Sequence, residues 1–487
     1  MTDLFDNPAP DLGLNDLRDR MRALNTQDPQ PEADYVLCWL QQTLRAFDNP
    51  VIDAAIAYAN LNNLPVLVYH GMRQDYPHAS DRLHYFLLGG SRDLQRGCAA
   101  RGLRCVSYLQ TPSTTEKGLV YRLAEKARAV FAEDHPTFVA RWQTRSFASK
   151  VNRPVYVIDA ARLIPTRSLP KGLKTTSAFR AANKPLREVY GTAEYDLKPS
   201  QTAYAGQVDF APLDLTQASD QDLKDLIAGC DIDHDLWICP EFPPSRAEAL
   251  RRMQAFMTAH LPRYKWTRNN PAIEGSGSEL SPYLHFGLLG PRELYQAVQA
   301  SDAHSAAKWK YLDEAVTWRE WFHYQAYYTD NFEHFEALPN SAKKTLLDHK
   351  DDPRAQIYDL DTLLHGETDD RVWNAAQKQW LATGYMHNNL RMYWGKKLIA
   401  WTDDPVTAWK TACYINDRLS LDGRDPATYG NMQWCFGKSK PGYKEIPIYG
   451  WVAPKSSAAL LSRDGVTEWV DEMNALDLGR INMDASI

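Results

Sequence analysis

Trp394 and Trp401 stand seven residues apart in the run LRMYWGKKLIAW. On a helix they share one face, about 10.5 Å apart along the axis. Trp373 lies in the helical stretch before them. Indoles so placed can pass an electron from ring to ring. The same spacing also describes an apolar core seam, and periodicity does not choose between the two. The stretch belongs to a wider bias, since thirteen of the fifteen Trp follow residue 230. Such a half suits a flat aromatic ligand, stacked bases or electron conduction, and equally an aromatic-rich helical core.

Three further segments carry chemistry. Residues 275–287 read GSGSELSPYLHFG. Ser278 and Ser281 can offer hydroxyls to a phosphate where a helix N-terminus favours anions, although a serine cap before Pro282 reads the same way. Residues 414–429 read YINDRLSLDGRDPATY. There Asn416, Asp417, Asp422, Arg424 and Asp425 crowd a turn. If buried, Asp422 wants a cation, for which Arg391 is the candidate; DG followed by DP is a turn signal in any protein. Lys438, Lys440, Lys444 and Lys455 follow Trp434 and face only Glu445 over 431–455. That makes a local basic rim suited to a nucleic-acid backbone, or a solvated lysine-rich loop.

The elements that must position these residues fall into two kinds. Residues 35–40, 64–70, 103–109, 127–132 and 154–158 read as buried strands, with amphipathic stretches near 51–62, 82–101, 115–126 and 136–148. Such alternation predicts a parallel, doubly wound sheet of about five strands. Its first turn lacks GxGxxG, so a nicotinamide-type pyrophosphate loop is not supported. After about residue 233 the pattern is helical. The expected organisation is a loose arm over 1–33, an α/β domain over 34–170, a connector over 171–232, an all-helical domain over 233–455 and an extension over 456–487. The fold class is therefore α/β plus all-α.

Composition narrows the classes further. With 487 residues, a net charge of −6 and 44% hydrophobic residues, the chain has ample material for large cores and is not a uniformly basic nucleic-acid binder. Seven cysteines without a CxxC pair argue against a disulfide framework and against a metal or iron–sulfur site. No apolar run approaches the roughly 20 residues of a membrane span, and no secretory leader is visible, so a cytoplasmic protein without membrane contact is expected.

SELSPYLHFG, WNAAQ, LRMYWGKKLIAWT and INDRLSLDGRDP, in this order and spacing, resemble the photolyase/cryptochrome superfamily, most closely the class II cyclobutane pyrimidine dimer photolyases. The resemblance is strong over 264–451 and looser over 34–170. It implies an N-terminal Rossmann-like domain with room for an antenna chromophore, a deazaflavin or a folate, and a helical domain holding FAD. Tyr264, Ser278, Leu280 and Ser281 match the FAD-phosphate region. Asn416 matches the residue facing flavin N5, and Arg391 and Asp422 a salt bridge beside the ring. Trp394, Trp373 and Trp401 match a photoreduction chain with Trp394 nearest the flavin. Glu314, Trp318, Met392 and Trp434 match the dimer pocket, with Arg268 and Asn269 beside it.

The same resemblance implies light-driven repair of UV-damaged DNA; a monomer is expected, and the local charge places Lys438, Lys440 and Lys444 on the DNA backbone. Its rival is a cryptochrome-like blue-light receptor with FAD and no repair. The sequence departs from the pattern at Gly277 and Glu279, where the family carries a threonine and a basic residue, which predicts weaker hold on the FAD phosphates.

Overall fold

The computed structural model describes residues 9–438 and 444–482. The chain forms two compact units. Unit 1 comprises Met1–His234, Pro243–Met253 and Leu280–Ala300; unit 2 comprises Asp235–Phe242, Gln254–Glu279 and Ser301–Ile487. Two segments expected in the helical domain, 243–253 and 280–300, thus belong to unit 1.

Unit 1 is built on a six-stranded sheet. Its strands are β1 (Met21–Ala23), β2 (Tyr35–Leu40), β3 (Val66–Met72), β4 (Arg104–Leu109), β5 (Ala127–Glu133) and β6 (Val155–Ile158), in the order β1-β6-β5-β2-β3-β4. The pairs β2–β3, β3–β4, β2–β5 and β5–β6 are parallel. Every residue of β2, YVLCWL, is buried; a run apolar on both faces is what a parallel sheet covered by crossover helices requires. Helices Pro50–Leu61, Asp81–Ala100, Leu119–Glu125 and Phe138–Ala148 supply that cover.

The sheet has one strand more than expected. Residues 15–23, read as loose arm, form helix Asn15–Arg20 and the edge strand β1, antiparallel to β6. Three residues, Met-Arg-Ala, give no readable alternation. Arg22 is buried because its guanidinium grips Asp134 at 2.8 and 2.7 Å. The polar stretch 171–232 likewise lies on unit 1 instead of hanging as a connector. It contains helices Thr176–Asn183, Leu186–Gly191 and Asp220–Ala228. Its backbone is fixed by buried polar groups: Asp53 accepts from the amides of Asp196 at 2.7 Å and Leu197 at 3.1 Å.

Unit 2 is helical among its described residues. Helices Arg371–Thr383, Asn388–Trp401 and Pro405–Leu419 carry its core, in which Trp373, Trp380, Trp394 and Trp409 are fully buried. Their ends are written in the sequence. Asp370 and Asp404 cap the first and third helices through their first backbone amides, and Gly384 ends the first in the left-handed region. The extension after 456 is no free tail. Helix Val466–Asn474 packs on Arg371–Thr383, and Val466, Trp469, Val470 and Ile481 join the core. No helix among the described residues is long and apolar enough to cross a membrane.

Candidate functional site

The indoles come together as a connected file in unit 2. Trp394 stacks on Trp373 with centroids 5.8 Å apart and planes at 11°, and Trp373 meets Trp401 edge-on at 5.4 Å. Two hydrogen bonds set the rings: Trp373 Nε1 donates to the Trp394 carbonyl at 3.1 Å, and Trp394 Nε1 donates to Gln377 Oε1 at 2.8 Å. Trp401 is half-buried and Lys397 Nζ lies 5.2 Å from its ring centre. A fourth indole, Trp380, stands edge-on to Trp394 at 5.2 Å. Sequence reasoning passed over it, although its seven-residue spacing from Trp373 was the available signal.

Trp380 leads to the polar cluster. The Arg391 guanidinium lies 5.1 Å from its ring centre and donates to Asp422 Oδ1 at 3.0 Å and Ser420 Oγ at 3.4 Å. The turn carrying Asp422 is pinned to the end of helix Pro405–Leu419. The Arg424 amide donates to Asp417 Oδ1 at 2.8 Å, and a Cβ on Gly423 would sit 2.6 Å from the Asn416 carbonyl oxygen, so only glycine allows this approach. Burial raises the Asp417 carboxyl to about 6, with Arg424 and the Tyr429 hydroxyl opposing that rise.

Asn416 is fully buried. Its Nδ2 donates to the Ala412 carbonyl at 3.1 Å, whereas its Oδ1 has no partner among the described residues, and neither has Arg391 Nε. Buried orphans of this kind are uncommon and call for a ligand. A ring N–H for the amide oxygen and an anion for the guanidinium would satisfy both, so the donor set fits a reduced flavin.

Around the serine segment, Tyr264 and Ser278 are joined through Tyr311, whose ring meets Tyr264 edge-on at 5.2 Å and whose hydroxyl bonds Ser278. Burial pushes the Tyr264 phenol up to about 12. Gly277, where a threonine was expected, has the Tyr385 hydroxyl 2.7 Å from where a Cβ would stand. A phenol therefore occupies the place of the missing hydroxyl. Glu279 adopts a left-handed φ of 54°. Leu280 and Ser281 fall in unit 1, where Ser281 opens the short helix Ser281–His285. Leu280 is the cap residue there, and no side-chain cap bond forms, so the serine-cap reading does not hold.

Glu314 and Trp318 lie four apart on a π-helical segment, Asp313–Trp318, and Trp434 opens a second one, Trp434–Lys438. Such wide turns occur often at functional sites. Trp318 and Trp434 meet at 5.1 Å with planes at 80°, forming a half-buried aromatic corner. The segment bearing Trp434 packs on helix Asn388–Trp401, which carries half-buried Met392.

Glu314 Oε1 receives both Lys310 Nζ at 2.5 Å and Arg268 Nη2 at 2.7 Å, and Arg268 Nη1 donates to Asn269 Oδ1 at 3.2 Å. Two cations thus sit on the Glu314 carboxyl, whose side chain is 23% exposed. Lys310 was also missed; its i, i+4 relation to Glu314 was the signal.

The lysine rim is mostly not a rim. Lys438 turns inward over the Phe332 ring and donates to Gln433, and burial pushes its amine down to about 7. Lys455 donates to Asn389 Oδ1 at 2.5 Å. Lys444 is exposed, and Lys440 lies outside the described residues.

A family profile described as DNA photolyase matches residues 36–200. A deoxyribodipyrimidine photo-lyase of Methanothermobacter thermautotrophicus is 30% identical over 469 residues, covering 94% of this chain and 98% of that protein. Among solved structures, a bacterial class III photolyase from Agrobacterium tumefaciens shares the fold, with a TM-score of 0.65, 17% identity and coverage of 91% of this chain and 86% of that one. A Synechocystis sp. PCC6803 cryptochrome does so as well, at 0.63 and 16%, over 90% and 86%.

Proposed function

The chain belongs to the photolyase/cryptochrome superfamily and is a photolyase-type enzyme, and from that premise we propose that it repairs cyclobutane pyrimidine dimers in UV-damaged DNA in the manner of class II photolyases. The observation that carries this reading is the corner of Trp318 and Trp434 with Glu314 on the same π-helical segment. Two perpendicular indole faces give a flipped-out pyrimidine pair an apolar seat. Glu314 supplies a hydrogen-bond acceptor at its rim, and Met392 a soft apolar wall. Arg268 and Asn269, the latter exposed, stand where the strand would enter.

Asn416, Arg391, Asp422, Tyr264 and Ser278 of unit 2 would hold FAD, with Tyr385 in place of the hydroxyl lost at Gly277. When bound and reduced, FAD supplies an electron on excitation by blue or near-ultraviolet light. Arg391 contributes a fixed positive charge beside it, which favours an anionic ring. Asn416 orients through an amide that can donate or accept. Trp394, Trp373 and Trp401 carry electrons inward from the half-buried end of the file. An antenna chromophore in unit 1, a deazaflavin or a folate, belongs to the same proposal, as does action as a monomer.

The test is to incubate the purified, reduced holoprotein with dimer-bearing DNA in light and in dark. Loss of dimers in light alone is the expected result. Bound FAD without light-dependent loss would instead identify a cryptochrome-like receptor.

A further inference from the structure

Both cations on Glu314 meet the same oxygen. Lys310 Nζ and Arg268 Nη2 each make their nearest contact with Oε1, at 2.5 and 2.7 Å, and the hydrogen bond that Glu314 accepts among the described residues falls on that oxygen. This is not how an arginine alone holds a carboxylate. A guanidinium is a planar fork that closes on both oxygens together, whereas an ammonium is a point charge that takes one. Lys310 reaches Glu314 from one helical turn earlier and occupies Oε1. Asn269 accepts from Arg268 Nη1 at 3.2 Å and Arg268 Nε has no hydrogen-bond partner among the described residues, so Nη2 alone meets Glu314. The second oxygen is thereby kept open, four residues from the aromatic corner of Trp318 and Trp434.

We propose that Lys310 is a positioning and specificity-determining residue: it prevents Arg268 from closing on both oxygens of Glu314, so that Oε2 remains an acceptor for the imide N3–H of a thymine or uracil in the dimer. This rests on the dimer-repair reading above. A carboxylate oxygen flanked by cations reads a donor well. It would be repelled by the bare N3 lone pair of a cytosine, and it cannot bond an N3-methylated base. The site is therefore built for dimers that keep the imide N–H.

The test is dark equilibrium binding of the FAD-loaded protein to three oligonucleotides: undamaged, bearing a thymine dimer, and bearing that dimer methylated at both N3 atoms. Wild type is expected to prefer the unmethylated dimer over the methylated one by about tenfold or more, the worth of a hydrogen bond to a charged group. Lys310→Met should bring that ratio close to one, because Arg268 then closes on both oxygens. Adding Arg268→Lys to Lys310→Met should restore the ratio, since an ammonium cannot span the carboxylate. Circular dichroism checks that each variant is folded. A ratio unchanged in Lys310→Met overturns the role, as does a folded double variant that fails to regain discrimination, or a wild type that prefers dimers with and without N3–H equally. A wild type with no preference for dimer over undamaged DNA overturns the repair reading and this role with it.

Discussion

Trp394 touches two indoles whose surroundings differ. Trp373 lies in an apolar stack, whereas Trp380 lies beneath the Arg391 guanidinium. A cation over a ring face stabilises its electrons and makes them harder to remove. An electron vacancy on Trp394 should therefore move to Trp373 in preference to Trp380. Trp373→Phe is expected to slow flavin bleaching under blue light severely, and Trp380→Phe to leave it near the wild-type rate. Trp394→Phe should abolish bleaching yet spare repair by protein first reduced with dithionite. It should also cost about 1–3 kcal/mol in denaturant unfolding, since Gln377 Oε1 loses its donor. Equal bleaching in the Trp373 and Trp380 variants would refute this ordering. Arg391→Leu leaves Asp422 without its guanidinium; the expected outcome is loss of FAD on gel filtration, and retention at full occupancy would place Arg391 away from the ring.

At the scale of elements, β1 is held by one buried pair as much as by its ladder. Burial alone would raise the Asp134 carboxyl, but the Arg22 guanidinium outweighs it and holds the group below its ordinary value. A carboxylate depressed in the folded state adds stability above its unfolded value near 4, and that stability is lost as pH falls toward the lower folded value. Arg22→Leu should cost about 3–5 kcal/mol at neutral pH, because it strands a buried charge. Urea unfolding of wild type and variant should then converge only as the pH falls through that lower folded value, where Asp134 becomes protonated in the wild type too. A gap that persists undiminished in acid would show that Arg22 acts through packing alone. The π-helical segments act at the same scale. In Asp313–Trp318 the wider turn brings Glu314 and Trp318 onto one side, an alignment that an α-helix of 100° per residue gives less closely.

For the whole molecule, DNA affinity must come from local charge, because the chain as a whole is acidic. Lys444 is exposed and Lys438 is not available to a phosphate in the described conformation. Lys444→Ala should weaken binding to damaged and undamaged duplexes alike and reduce the logarithmic salt slope by about one. Lys438→Ala should leave that slope unchanged while lowering thermal stability through loss of its contacts with Gln433 and Phe332. A slope reduced by Lys438→Ala and untouched by Lys444→Ala would reverse the assignment.

Strand periodicity and the two-part organisation were legible in the residues, because local hydrophobic pattern acts over a few positions. The in-order motifs likewise named the indole file and the Arg391–Asp422 pair. The tertiary structure alone decided what depends on partners distant in sequence. Arg22 is buried because Asp134 meets it, 112 residues later. Gly277 is tolerated because Tyr385 brings a hydroxyl to it, and Lys438 is withdrawn from the surface because Gln433 and Phe332 receive it. Trp380 and Lys310 carried spacing signals that sequence alone could not weigh. A side chain four or seven residues from a key group is a neighbour on any helix, and only the fold shows that Arg391 covers one and that Arg268 competes with the other for a single carboxylate.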